Sequence, residues 1–191
     1  MTPAAALATT LLAQAPLAGR PRAETAAAER FSRGLIAFAR QGGDYDAAAF
    51  SRLTGIPLHN PDKWNDQPAT GRSAQWENLR SAAGATRIGF DQVPNAGASV
   101  VVELSGRPCI PIALIERAAG RKASYGGISF SFVLDAPSPP PQKLGREYAT
   151  VSLRARSGES VSLSMQANRA GPAGCVRTIT LDSMPAIRSG R

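Results

Sequence analysis

Residues 148–167 read YATVSLRARSGESVSLSMQA. Val151 and Leu153 alternate with Ser152 and Arg154, and Val161, Leu163 and Met165 alternate with Ser162 and Ser164. An apolar residue at every second position is the pattern of a half-buried strand. Ser157-Gly158 lies between the two runs, where a hairpin turns. One side of the hairpin is Val, Leu and Met, and the other is Ser. That division belongs to an antiparallel sheet that buries one face and wets the other.

Other runs on the C-terminal side repeat this period. Residues 100–104 read VVVEL, and 175–181 read CVRTITL. Residues 128–134 (ISFSFVL) place Ile128, Phe130, Phe132 and Leu134 on one face. Residues 86–90 (TRIGF) give a weaker strand signal. Before Gly84 the period is 3.6 instead. In residues 21–40, Phe31, Leu35 and Phe38 fall at i, i+4 and i+7, one stripe of a helix. Gly42 and Gly43 stop it, and Asp44 is placed to cap a second helix over 45–53. Thr54-Gly55-Ile56-Pro57 ends that helix, and a polar loop follows over 57–72. Ser73 then caps a third helix over 73–83, with Trp76 and Leu79 facing inward. A short helix is expected over 110–119.

Helices precede strands, so the expected class is α+β. N-terminal helices pack on one face of a C-terminal antiparallel sheet of about five strands, with a short helix inserted between strands. Residues 21–185 form one domain, helical over 21–84 and β-rich over 85–185. Residues 186–191 are a tail. PSPPPQ, at 137–142, reads as a stiff polyproline-type loop.

Hydrophobic residues make up 43% of the 191, enough for a core and too many for a disordered chain. The net charge is +8. A basic balance suits an anionic partner. Yet the 22 basic residues are nearly all Arg, are scattered, and form no run of five, in a chain rich in Ala, Gly and Pro. GC-rich coding accounts for that bias as readily as nucleic acid does, and nucleic-acid binding is disfavoured.

Residues 1–20 carry an apolar, uncharged run up to Arg20. Its length and small residues fit a signal peptide, although no basic residue precedes the run. The other reading is an Ala-rich tail. Export to a periplasmic or secreted location is favoured over a cytoplasmic one. The run is too short and too Ala/Thr-rich for a membrane span, so no transmembrane anchor is expected.

Cys109 and Cys175 are the two cysteines. At the start of a helix near Ile110, Cys109 could be an activated thiol. An even count in an exported chain favours a Cys109–Cys175 disulfide instead. The only His is His59, and no Cys-x-x-Cys is present, so structural zinc is excluded. His59, Asp62 and Asp66 share one loop, but nothing helical fixes them as ligands. No P-loop, dinucleotide fingerprint or Gly-x-Ser-x-Gly occurs. No catalytic residue, metal or cofactor is assigned.

The expectation is a non-catalytic, exported bacterial binding or accessory protein that recognises another protein, in an assembly, inhibitor or immunity-type role. The binding candidates are Trp64, His59, Asp62, Arg154 and Arg156. Trp64 is an aromatic in a polar loop, and interfaces favour Trp and Arg. The alternatives are a small cell-envelope hydrolase using His59 with nearby carboxylates, and a basic module on nucleic acid or an anionic membrane. The hydrolase requires a cleft gathering His59 with acids. The basic module requires Arg30, Arg33, Arg40, Arg154 and Arg156 on one face. A protein binder would expose an apolar patch near Trp64 or the Pro-rich loop.

Overall fold

The structure, a computed structural model, describes residues 20–42, 45–61, 63–67, 71–93, 97–129 and 142–184. Among them are three helices: α1 (Arg20–Ala39), α2 (Ala47–Thr54) and α3 (Ile112–Ala119). Eight strands are present: β1 (Lys63–Gln67), β2 (Gly71–Trp76), β3 (Ala85–Val93), β4 (Gly97–Leu104), β5 (Ser124–Ser129), β6 (Gln142–Arg154), β7 (Ser160–Ala167) and β8 (Val176–Met184). The class is α+β, as expected, with a wider sheet than the five strands read from the pattern. All pairings are antiparallel, in the order β1-β2-β3-β4-β8-β7-β6-β5. Two meanders therefore meet along β4 and β8.

The hairpin over 148–167 forms as read, with Val151 opposite Leu163 and Leu153 opposite Val161. Its apolar face continues across the sheet. Ala74, Phe90, Val100, Leu181, Leu163 and Val151 are successive register partners, and all are buried. The helices cover this face. Phe31, Leu35 and Phe38 of α1 are fully buried, as are Phe50 of α2 and Ile112 and Ile115 of α3. Phe38 sits at the centre of a ring cluster, with ring centroids 4.8 Å from Tyr45, 5.1 Å from Phe50 and 6.4 Å from Phe90. Gly34 explains itself here. A side chain at that position would overlap the Leu53 carbonyl, so a glycine lets α1 and α2 approach closely.

Three local readings are corrected. Residues 73–83 do not form a helix: Gly71–Trp76 is β2, and Ala74 and Trp76 are buried while Ser73 and Gln75 are only half-buried. The Trp76/Leu79 spacing suggested a helix, but the alternation before it decided the outcome. The polar loop contains β1, an edge strand that gains its pairing from β2 without apolar alternation of its own. Asp46, not Asp44, caps α2, accepting from Ala48 N at 3.2 Å and Ala49 N at 2.9 Å. Residues 1–19, Asp44, 130–141 (with most of ISFSFVL and of the Pro-rich loop) and 185–191 lie outside the described residues.

Candidate functional site

Cys109 and Cys175 are joined, with Cα atoms 5.1 Å apart, and no free cysteine remains. The activated-thiol reading is thereby overturned. Pro111, not Cys109, is the N-cap of α3. The bond reinforces a small backbone junction. Val176 N donates to Ile110 O at 2.9 Å, Ile112 N to Gly174 O at 3.2 Å, and Cys175 N to Asn168 Oδ1 at 2.9 Å. The segment entering α3 is thus tied to the segment entering β8.

Of the loop candidates His59, Asp62 and Trp64, only His59 has its side chain within the described residues. His59 is exposed, and its side chain has no polar partner among the described residues. Its carbonyl accepts from Trp76 Nε1 at 3.0 Å, so the residue anchors a buried indole. Asp62 and the Trp64 side chain lie outside the described residues; the β1 backbone sets Trp64 opposite Ala74. Among the described residues no group of three or more His, Cys, Asp or Glu could hold a metal ion.

The arginines divide between two faces. Arg30 and Arg33 are exposed on α1 and Arg40 just past its end, in the helical layer. Arg33 pairs with Glu29 at 3.7 Å, a surface contact worth little. Arg40 Nη2 donates to Ala119 O at 2.9 Å, at the electronegative end of α3. Arg156 N donates to Arg40 O at 2.9 Å, which brings those two together. Arg154 alternates with buried Leu153 and so projects from the opposite side of the sheet. The five do not form one basic face.

That opposite side is paved with short polar residues. Ser73, Asp91, Ser99, Asp182, Ser162 and Ser152 form one row of register partners. Gln75, Gly89, Val101, Thr180, Ser164, Thr150 and Ser124 form the next. A side chain added at Gly89 would meet nothing within 4 Å, so this part of the face is uncovered. Charges of both signs dot it, including the Arg87–Glu103 pair at 3.2 Å. Among the described residues the one exposed large hydrophobic is Met184; the Trp64 side chain and most of the Pro-rich loop, where a protein binder's apolar patch is expected, lie outside them.

Two clefts border the sheet. One, of about 340 Å³, lies between the start of α2 and β2–β3, with Tyr45, Asp46, Arg72, Trp76, Phe90 and Gln92 in its wall. Its polar groups have structural duties. Asp46 caps α2, and Gln92 Nε2 donates to Tyr45 O at 2.6 Å. Tyr45 itself is buried, and its hydroxyl lies near Ser183 but makes no hydrogen bond of normal geometry among the described residues. Burial pushes that phenol well above its ordinary value. The nearby Ser183 opposes the shift, and the charges of Asp182 and Glu159 add to it.

A folded-state value above the unfolded one means that stability is complete below about pH 10 and falls as pH rises past it, because the unfolded chain ionises first. Tyr45→Phe is therefore expected to raise stability at neutral pH by about 1 kcal/mol, since an unpaired buried hydroxyl is removed. It should also flatten the loss above about pH 10. Urea unfolding at a series of pH values measures both, and an unchanged alkaline slope would count against this assignment.

The second cleft, of about 360 Å³, lies where the α3–β5 turn meets β6, with Arg121, Lys122, Ser124, Thr150 and Ser152 in its wall. Beneath it Glu116 is buried. Its Oε1 accepts from Ala123 N at 2.9 Å and from the Tyr125 hydroxyl at 3.3 Å, and its Oε2 lies 3.5 Å from Lys122 Nζ. Burial, followed by the Glu116 charge and hydrogen bond, raises the Tyr125 phenol. Sequence reading passed over this turn, although Arg121 and Lys122 are the only adjacent basic residues in the chain.

The fold and its surface define a single-disulfide α+β protein with one sheet face covered by helices and the other, among the described residues, open. No family model, curated protein or solved structure matches the chain.

Proposed function

We propose that this is a non-catalytic, exported binding protein that recognises another protein through the open face of its sheet. The observation carrying this reading is the uncovered polar face. Its six central strands span roughly 24 Å by 27 Å, or about 650 Å² in plan. A standard interface takes about 800 Å² from each partner. Short Ser and Thr side chains lose little rotamer freedom on docking and offer both donors and acceptors. With mixed charges and few exposed apolar groups, the face suits a polar partner surface. The disulfide supports an oxidising compartment, periplasmic or extracellular.

Site-specific photo-crosslinking in cells tests the assignment. A photoreactive residue at Ser164 or Thr180, neighbours in one row, should yield a discrete adduct with one protein. The same probe at Arg33, on the helical side, should yield none. Adducts only from Arg33, or from no position, would sink the proposal.

A further inference from the structure

We propose that the cleft between the α3–β5 turn and β6 is an oxyanion-binding site, taking a carboxylate or phosphate group. This inference does not depend on the recognition of a protein by the open face. Its charge comes from Arg121 and Lys122, and its hydrogen-bond donors include the hydroxyls of Ser124, Thr150 and Ser152.

The turn that presents the cations is held from both ends. Gly120, at φ 67°, ends α3 in the left-handed conformation, which a glycine adopts freely. Gly120 N donates to Arg117 O and Arg121 N to Glu116 O, each at 3.2 Å. Three residues on, Ala123 N is fixed on the buried Glu116 carboxylate at 2.9 Å. Arg121 and Lys122 therefore project from a pinned backbone, and little ordering remains to be done on binding.

The donors are also available. The Arg121 side chain has no polar partner among the described residues, and a guanidinium can meet an oxyanion with two parallel hydrogen bonds. Lys122 is partly balanced by Glu116, yet its side chain is 90% exposed and free to turn into the cleft. Ser124 and Ser152 have no side-chain partner among the described residues, and Thr150 shares only a long 3.5 Å contact with Ser164. The carboxylate nearest in the chain, Glu116, is already engaged by Ala123 and Tyr125. Arg154, outside the wall, stands two residues beyond Ser152 on the same face of β6, roughly 7 Å along the strand, and adds positive charge on that side. A neutral ligand would leave Arg121 uncompensated, whereas an oxyanion uses both the charge and the hydroxyls.

The test is an amide-resolved NMR titration of the full chain at constant ionic strength. One arm uses sodium phosphate and the other a capped hexapeptide of glutamates. Saturable shifts are expected at Ser124, Thr150 and Ser152. Arg121→Gln combined with Lys122→Gln should weaken binding by about tenfold or more, the loss of at least one charge-assisted hydrogen bond. Ser152→Asp, which sets a carboxylate in the cleft, should weaken it similarly with no change in melting temperature. Arg33→Gln, on the helical side, should leave it intact. Saturation by phosphate alone would identify a phosphate ligand, and saturation by the peptide alone a carboxylate borne on a chain. Saturation by both would identify a general oxyanion site. The proposal is overturned if neither arm saturates, or if the glutamine pair binds as tightly as the parent.

Discussion

Cys109→Ala combined with Cys175→Ala should lower the folding stability by about 4 kcal/mol. The bond links residues 66 positions apart. A cross-link over that span removes many conformations from the unfolded chain, and in the entropic account the cost grows with the logarithm of loop length. Both cysteines also sit beside backbone hydrogen bonds that join the start of α3 to the start of β8. Those bonds persist in the alanine variant, so the fold should survive at a lower urea midpoint with a larger m-value, because the unfolded state expands. Denaturation of the parent under reducing conditions should give the same midpoint as the variant. A loss below about 1 kcal/mol would show that the unfolded chain is held compact by something other than the bond.

A loss of similar size is expected from Phe38→Ala, about 4 kcal/mol, in the middle of the range that buried aromatic truncations cost. Phe38 is 1% exposed and meets Phe50 and Phe90 edge-to-face. It joins α1, α2 and β3, so its removal opens a hole that no single element can close. Phe38→Leu keeps most of the volume and should lose less than half as much. Urea midpoints for the two variants check this, and equal losses would mean that ring geometry, not volume, sets the cost.

Much of this fold could be read from residue order, because much of it is local. Phe31, Leu35 and Phe38 mark α1 by their spacing, and the alternation of Val151, Leu153, Val161 and Leu163 marks a hairpin whose partners are close in the chain. Cysteine number and the expected compartment were enough to pair Cys109 with Cys175. The failures have one cause. β1 carries no alternating apolar residues, since its place comes from backbone pairing with β2. Ala74 and Trp76 gave too short a run to outweigh the helical spacing of Trp76 and Leu79. The strand order was hidden as well, because nothing in residues 176–184 announces that they will lie against β4. The oxyanion cleft was half visible. The Arg121-Lys122 pair stands out in the sequence, but Thr150 and Ser152 join it only once β6 is laid beside the turn.

The place of β8 bears on how the chain can be made. The strand that joins the two meanders, between β4 and β7, is the last in chain order of the described strands. Until it arrives, β4 and β7 each present a long unpaired edge with a buried-type apolar face beside it. Such edges invite mispairing before β8 docks. The sheet closes only when this strand is inserted, and the disulfide at its entrance then locks the closure in place.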